Sequence, residues 1–348
     1  MIGSRFSSSP TGCWKSWLTH NVLLNNLALI MKIQLIPSLF KSRKRGSGWL
    51  AVVLGKKGIY LSKIELKDGM RRVTRCEYHQ MNTVTAVSLD KLRRAAKVGT
   101  CDFTTLLDPT EYQMLMVETP NVPANELKTA VRWKIKDSLN YHVEDATIDV
   151  LPIPAGKSAS GRVQSVYVVA ASNITIKKRI SLFEQAKINL GVIDIPEMAQ
   201  RNIASLFEQG DQALALLAFD ENGGLLTFTA GGELYLSRFM EISVGQLLDA
   251  NESLRKQYRD RVGFELQRSL DYFDSQFGNM VVNRVLVCVP DNTGLVEFLA
   301  AATDTKVEKL NLSQVMDISV VPALADSEFV AYALSSLGAA LRPERRAR

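Results

Sequence analysis

Groups of three short apolar runs separated by glycine turns occur twice along the chain. Residues 49–81 contain one group, with turns at Gly58 and Gly69, and residues 213–239 contain the other, with turns rich in Asp, Asn and Gly. Apolar runs of this length bounded by such turns are typical of β-hairpin strands. The pattern predicts two β-meanders that superpose on each other, and therefore a duplicated fold.

Stretches with helical periodicity and further apolar strands follow each meander. The predicted helices cover residues 89–98, 127–139, 174–188, 247–258, 262–277, 295–302 and 328–341, and one more begins at Pro196. The predicted additional strands cover residues 112–118, 144–154, 163–171, 190–195, 284–289 and 307–310. This order indicates an α/β protein made of two meander-plus-helix halves. The first half is enlarged by an insertion at about 118–170.

Two residues of the insertion carry specific expectations. Asn125 follows the rigid, proline-bounded segment 119–123, and its side chain is of the kind that caps a helix N-terminus. Trp133 lies off the apolar stripe of the helix that follows. It belongs either to a second packing face or to an exposed contact surface, and we predict the packed position.

The chain length of 348 residues suits about two domains. We assign residues 46–205 to the first half and residues 206–342 to the second. Residues 1–45 form an N-terminal extension, and residues 343–348 form a basic tail. The extension is predicted to be disordered or to be an artefact of the start site, because the stretch from Met31 resembles an ordinary short N-terminus.

Hydropathy argues against a membrane span and a signal peptide. The apolar content is 46% and the mean hydropathy is near zero, which is typical of a soluble chain with sizeable cores. The best candidate span, residues 17–40, is interrupted by His, Asn, Lys and Pro, so no run of about 18 apolar residues remains. No small-residue cleavage site follows this stretch either.

Charge is distributed unevenly. Residues 1–100 carry 18 Lys and Arg against 4 Asp and Glu, a net charge of +14, whereas the remaining 248 residues carry 24 against 32, a net charge of −8. A basic end on an acidic body fits either solvated basic side chains or attraction to an anionic partner such as a membrane surface. The basic residues are not gathered into a patch interleaved with aromatic residues, so nucleic acid is disfavoured as a partner.

The usual signatures of catalytic and metal sites are absent from the sequence. The cysteines are Cys13, Cys76, Cys101 and Cys288, and the histidines are His20, His79 and His142. Their spacing matches neither a disulfide framework nor a zinc site. Cysteines without a disulfide framework are typical of proteins in a reducing compartment. Gly156-Lys157-Ser158 matches the end of a phosphate-binding loop, but Leu151 stands where that loop requires glycine. We therefore predict no metal and no catalytic residues, and an unrelated α/β enzyme finds little support.

The two meanders and the insertion resemble the actin-like ATPase fold, and the chain is more closely similar to PilM-type proteins of type IV pilus assembly. Within that family it resembles the MshI proteins of mannose-sensitive haemagglutinin (MSHA) pilus biogenesis. The stretches that carry the resemblance are residues 118–139, 192–199, 232–238, 264–273 and 331–342. Each stretch alone is weakly specific, whereas the ordered set is fairly specific.

The resemblance also identifies positions where this chain departs from nucleotide-binding relatives. Those proteins have an Asp-x-Gly turn in each meander, in which Asp helps to place the metal and phosphates and Gly lets backbone N–H groups approach the phosphates. Here Val53 replaces the first Asp while Gly55 is kept, and the second turn has Ala218 and Asp220 in place of Asp and Gly. In the third element, where the adenosine-contacting turn has Gly-Gly, the chain has Val-Pro, ending in Pro290.

These departures predict that the protein binds no nucleotide cofactor. Lys56 and Lys57 leave one alternative open, because lysines in the first turn could compensate as phosphate-binding charges. In that case the protein is a divergent actin-like ATPase.

The resemblance implies a non-catalytic scaffold, cytoplasmic and peripheral to the inner membrane. The expected partner is a PilN-like protein that spans the membrane once, and the assembly ATPase is a further candidate contact. An extended peptide of the partner is expected to dock between the first-half core and the insertion, by adding a strand to an exposed sheet edge. A GspL-like component of a type II secretion platform is the second alternative. GspL proteins continue into a membrane span, and no span is expected here.

Overall fold

The computed structural model describes residues 48–96, 101–154, 164–278 and 280–342. Three predictions fall outside these ranges: the N-terminal extension at 1–45, the Gly156-Lys157-Ser158 sequence, and the basic tail at 343–348. Within the described ranges the chain forms two five-stranded sheets, one three-stranded sheet and the helices that pack on them.

The two five-stranded sheets share one topology. The first sheet contains β1 (Trp49–Gly55), β2 (Gly58–Lys67), β3 (Met70–Gln80), β4 (Asp102–Leu106) and β8 (Leu190–Asp194). The second contains β9 (Ala213–Phe219), β10 (Gly224–Ala230), β11 (Glu233–Met240), β12 (Val282–Cys288) and β13 (Lys306–Lys309). In each sheet the first three strands form an antiparallel meander, and the fourth and fifth strands run parallel to the first. The predicted duplicated α/β fold is confirmed.

Eight helices are described. They are α1 (Ala86–Ala95), α2 (Leu127–Ile135), α3 (Asn173–Gln185), α4 (Pro196–Ala204), α5 (Val244–Leu247), α6 (Glu252–Phe277), α7 (Leu295–Ala302) and α8 (Ser327–Ala340). Side-chain caps define several starts, because Ser172, Asn251 and Asp326 each accept a hydrogen bond from a backbone N–H of the first turn that follows. No helix in the described ranges is long and apolar enough to cross a bilayer.

Two helix predictions were wrong. The segments predicted as separate helices, 247–258 and 262–277, are mostly one 26-residue helix, α6. The helix continues because Val262 is fully buried and Gly263 lies against the Phe298 ring of α7. Helix α6 therefore stays packed where the apolar periodicity of the sequence is interrupted. Asn125 does not cap α2, which starts one residue later, after Glu126, without a side-chain cap.

The insertion is a small antiparallel sheet covered by one helix. Its strands are β5 (Tyr112–Glu118), β6 (Ala146–Pro152) and β7 (Ser165–Ser172), in the order β5-β7-β6. Val131 and Ile135 of α2 are fully buried against one face of this sheet. The sheet begins at Tyr112 rather than at about 118, because β5 pairs with β7 along its whole length.

Trp133 is exposed, contrary to the packed position predicted for it. Its side chain is 62% accessible to solvent. Each residue of an α-helix turns the chain by about 100°, so Trp133 lies on the face opposite to Val131 and Ile135. Because those two residues already fill the side of α2 that faces the sheet, the indole is left at the surface.

The two halves share one core. It contains residues of the first sheet, such as Ala51 and Ile64, and of the second sheet, such as Leu214 and Leu286. Helix α4 packs mainly on the second sheet and α8 mainly on β1 and β2 of the first, and the two helices pack on each other between the sheets. A β-carbon added to Gly338 of α8 would lie 2.1 Å from the carbonyl oxygen of Ala199 of α4. Only glycine permits this crossing.

Candidate functional site

The first turns of the two meanders contact each other. The backbone N–H of Lys56, in the turn between β1 and β2, donates a hydrogen bond of 2.6 Å to Oε1 of Glu221, in the turn between β9 and β10. The Lys56 Nζ donates a second bond, of 3.0 Å, to the backbone carbonyl of Glu221. The fold thus brings together the predicted Gly55 and Asp220 regions, although they are about 165 residues apart in sequence.

The first turn is held from behind by the third strand of its meander. The carbonyl oxygen of Lys57 accepts hydrogen bonds from the Tyr78 hydroxyl at 2.8 Å and from the Met81 N–H at 2.9 Å. The Tyr78 ring packs on Tyr60, with 4.8 Å between the ring centroids. Burial raises the pKa of Tyr60, and the nearby Glu221 carboxylate raises it further. The turn is therefore fixed from its own sheet, independently of Glu221.

The second turn is held by Asp220. Its Oδ1 accepts hydrogen bonds from the N–H groups of Asn222 (2.6 Å) and Gly223 (3.2 Å), and its own N–H donates to the Gly223 carbonyl at 2.9 Å. Burial is the largest influence on the Asp220 carboxyl and raises its pKa, while the two N–H donors act in the opposite direction. Asp220 therefore fixes the conformation of its own loop. Its N–H is used within that loop, so it offers no hydrogen-bond donor to the first turn.

Val53 and Ala218 both belong to the apolar interior. Val53 pairs with Tyr60 across β1 and β2 and packs against the core shared by the two halves. Ala218, near the end of β9, is buried in that same core. At both positions where the family resemblance calls for an aspartate, the structure has an apolar side chain and no oxygen ligand.

A small cavity lies beside the second turn. It has room for about 30 Å³ of solvent, enough for one or two water molecules. The residues that line it include Tyr112, Glu197, Gln200, Ala218, Asp220 and Leu334. Its walls come from the insertion, both central helices and the second sheet.

Glu197 contributes a buried carboxyl group to the wall of this cavity. Glu197, in the first turn of α4, is 7% exposed, and its Oε2 accepts a 2.6 Å hydrogen bond from the Tyr112 hydroxyl. Burial raises the pKa of Glu197, and the Tyr112 bond lowers it to a lesser extent. Burial and Glu197 together raise the pKa of Tyr112. The pair connects the insertion to α4.

Pro290 lies two residues beyond Cys288, which pairs with Ala218 where β12 runs parallel to β9. It is buried after β12, and its carbonyl accepts hydrogen bonds from the N–H and the hydroxyl of Thr293. The next residue, Asp291, pairs with Lys309, and its backbone N–H donates a 3.1 Å hydrogen bond to the Ser327 hydroxyl at the start of α8. The third element is therefore a closed turn that contacts its own half and α8.

Metal-ligating side chains do not cluster in the described part of the chain, and the cysteines described there are buried. They contain no group of three or more His, Cys, Asp or Glu side chains arranged to hold a metal ion. Cys76, Cys101 and Cys288 are buried as free thiols. Burial raises the pKa of Cys76 to about 11 and that of Cys288 to about 12, so both are protonated at neutral pH.

Sequence reasoning missed three residues of this region: Glu221, Glu197 and Tyr112. Glu221 was read only as part of a turn, and its role depends on the distant Lys56 N–H. Glu197 had a local signal, because an acidic residue directly after a helix-starting proline lies at a helix N-terminus. Tyr112 had none, since its partner lies 85 residues further along the chain.

Comparison with known proteins identifies the fold. No family model matches the sequence, and no curated protein sequence matches it. The structure is similar to a chain of the PilM–PilN type IV pilus biogenesis complex, with a TM-score of 0.67 and 16% identity, covering 84% of this chain and 98% of that chain. It is also similar to the cytoplasmic domain of EpsL, an inner-membrane component of the type II secretion system of Vibrio cholerae, with a TM-score of 0.46 and 13% identity over 83% of this chain and 98% of that one. A Bacteroides thetaiotaomicron protein with an actin-like ATPase fold has a TM-score of 0.45 and 10% identity over 82% of this chain and 99% of that one. The likeness to the chain of the PilM–PilN complex shows that this protein has an actin-like fold of the PilM type.

Proposed function

We propose that this protein is a non-catalytic, cytoplasmic scaffold of a type IV pilus assembly platform of the MSHA kind, and that it binds the cytoplasmic tail of a PilN-like inner-membrane protein. The observation that carries the proposal is the likeness in fold to a chain of the PilM–PilN complex, which extends over 98% of that chain. The sequence resemblance to MshI proteins supports the MSHA assignment.

The facing turns support the non-catalytic part of the proposal. A triphosphate with Mg²⁺ needs oxygen ligands for the metal and backbone donors for the phosphates. Val53 and Ala218 provide no oxygen, and the Lys56 N–H is already bonded to Glu221. A triphosphate at this place would also meet the negative charge of Glu221, which repels another anion.

Titration with Mg-ATP tests this part directly. Lys56 and Lys57 are exposed lysines of the first turn, and they are the residues that a divergent ATPase would use. We expect no binding heat in calorimetry of the wild-type protein. Micromolar affinity that disappears in a Lys56→Ala/Lys57→Ala variant would replace the scaffold with a divergent actin-like ATPase.

The surface of the insertion supports the partner site. Trp133 on α2 is 62% exposed, and Met116 on β5 is 44% exposed. Lys134, next to Trp133, donates to the carbonyl of Glu118 at the end of β5, so this part of α2 is held beside an edge strand of the three-stranded sheet while the Trp133 side chain faces solvent. Edge strands accept an extended peptide through backbone hydrogen bonds, and exposed aromatic residues supply the apolar anchors.

Peptide binding with a matched aromatic control tests the partner site. A labelled synthetic peptide with the N-terminal cytoplasmic sequence of the PilN-like protein is titrated with the full chain, and binding is followed by fluorescence anisotropy. We expect Trp133→Ala to weaken binding at least tenfold, as for an interface hot spot. Phe264→Ala removes an aromatic residue of similar exposure (66%) from α6 and should leave binding unchanged. Equal affinity of the two variants would exclude Trp133 from the site.

Membrane association forms the weaker part of the proposal. The net charge of +14 in residues 1–100 should attract anionic lipid in a salt-sensitive manner, since exposed charges are screened beyond about 8 Å at physiological salt. Sedimentation with anionic vesicles at low salt tests this, and absence of binding would leave recruitment to the protein partner alone. Co-purification from membranes identifies the proteins that accompany the chain. These proteins distinguish a pilus platform from a GspL-like secretion platform, and they show whether the assembly ATPase is among the partners.

A further inference from the structure

We propose that the first turn is an anion-binding site that the protein itself keeps occupied, with the Glu221 carboxylate as its resident anion and as the latch between the two halves. This inference concerns the cleft rather than the partner surface. It stands on the geometry of the two facing turns whether or not the partner assignment holds.

The fit between Glu221 and the first turn depends on Gly55. A β-carbon at Gly55 would lie 2.8 Å from Oε1 of Glu221, closer than van der Waals contact permits. The absence of a side chain therefore lets the carboxylate reach the Lys56 N–H at 2.6 Å. The short distance is typical of a charge-assisted bond, which is about twice as strong as a bond between neutral groups.

The latch connects two turns that are each rigid on their own. Tyr78 and Met81 hold the first turn through the Lys57 carbonyl, and Asp220 holds the second through its own loop. The contact therefore requires only the Glu221 side chain to become ordered, whereas an ordinary surface ion pair orders two long side chains. A bond between fixed turns of opposite halves resists separation of those halves.

The chemistry of the site also defines what would replace Glu221. A backbone N–H, a glycine that leaves space and the Lys56 ammonium within reach form a site for a carboxylate or a phosphate group. Removal of the Glu221 side chain frees the Lys56 N–H and removes the negative charge that repels other anions. The first turn should then accept an inorganic anion that the wild-type protein excludes.

Amide hydrogen exchange and pyrophosphate titration test the proposal on the full chain. In Glu221→Ala we expect the fragment containing the Lys56 amide to exchange at least tenfold faster, while fragments of α6 exchange at the wild-type rate. We expect inorganic pyrophosphate to bind Glu221→Ala at least tenfold more tightly than the wild type in calorimetry. A Gly55→Ala/Glu221→Ala variant should lose this gain, because the added methyl group occupies the anion position.

The steric role of Gly55 has its own control. Gly55→Ala alone should accelerate Lys56 amide exchange by expelling the carboxylate, and in the Glu221→Ala background the same substitution should add no further acceleration. A thermal unfolding scan of each variant establishes that it is folded. Unchanged exchange in Glu221→Ala, or pyrophosphate binding no tighter than in the wild type, would overturn the proposal. Neither readout involves the pilus partner, so failure here is distinct from failure of the proposed function.

Discussion

Adding one methyl group at Gly338 tests whether the two halves are locked by the crossing of α4 and α8. A β-carbon at Gly338 would lie 2.1 Å from the carbonyl oxygen of Ala199, 2.6 Å from its carbonyl carbon and 3.1 Å from its Cα. All three atoms belong to the backbone of α4, so no side-chain rotation relieves the contact. The Asn202 side chain also donates a 3.0 Å hydrogen bond to the Gly338 carbonyl, which fixes the register of the two helices.

Two effects of opposite sign determine how much Gly338→Ala changes the free energy of unfolding. Alanine is more favourable than glycine inside a helix by roughly 1 kcal/mol. Relieving the contact requires the helices to separate by about 1 Å, and overpacking of this kind costs up to about 3 kcal/mol, or more when backbone must move. We therefore expect Gly338→Ala to lower the free energy of unfolding by about 2 kcal/mol, with the packing cost exceeding the propensity gain.

Denaturant unfolding followed by circular dichroism measures this change. Gly245→Ala in α5 is the matched control, because the nearest atom to its added β-carbon is the Ser243 hydroxyl at 3.8 Å, an ordinary contact. The control should be as stable as the wild type or slightly more stable. If Gly338→Ala were equally stable, the close crossing of the two helices, and with it the shared core, would have to be abandoned.

Three further substitutions have defined outcomes. Burial raises the pKa of Glu197, so between its ordinary value near 4.5 and the higher folded value the native state holds a proton that the unfolded chain has lost, and stability falls as pH rises through this window. Glu197→Gln should therefore gain in melting temperature relative to wild type as the pH rises above 4.5, and absence of this gain contradicts the assignment. Arg179→Met should cost about 2–3 kcal/mol in urea unfolding, because it leaves Glu111 without its 2.6 Å partner, and Arg179→Lys should cost less. Tyr167→Phe should cost about 1–2 kcal/mol by removing the acceptor of the Ser237 N–H, a 3.2 Å bond between the insertion and β11; equal stability would show that this bond contributes nothing.

Local patterns in the sequence were sufficient to locate most of the elements. The meanders were predicted within a few residues because short apolar runs and glycine turns encode a hairpin without reference to the rest of the chain. Helix α7 was predicted with its observed bounds, Leu295–Ala302. The apolar positions Val53 and Ala218 were also recognised from the sequence, once the resemblance supplied the residues expected there.

Other features were decided by neighbours that are distant in sequence. Trp133 was expected to be packed, but the sheet below α2 has room only for Val131 and Ile135. Helix α6 continues through Gly263 because α7 packs against it, which periodicity within α6 does not reveal. Strand β5 belongs to the insertion because its hydrogen-bonding partner is β7, some 50 residues later.

The candidate site best illustrates the difference between what local sequence determines and what tertiary contacts determine. The sequence determined that both meander turns exist and that they lack the acids of nucleotide-binding relatives. Only the tertiary structure placed Glu221 on the Lys56 N–H, because that hydrogen bond joins residues 165 positions apart and requires the bare backbone of Gly55. Local propensity encodes the shape of each turn, whereas the contact between the turns depends on how the shared core aligns the two halves.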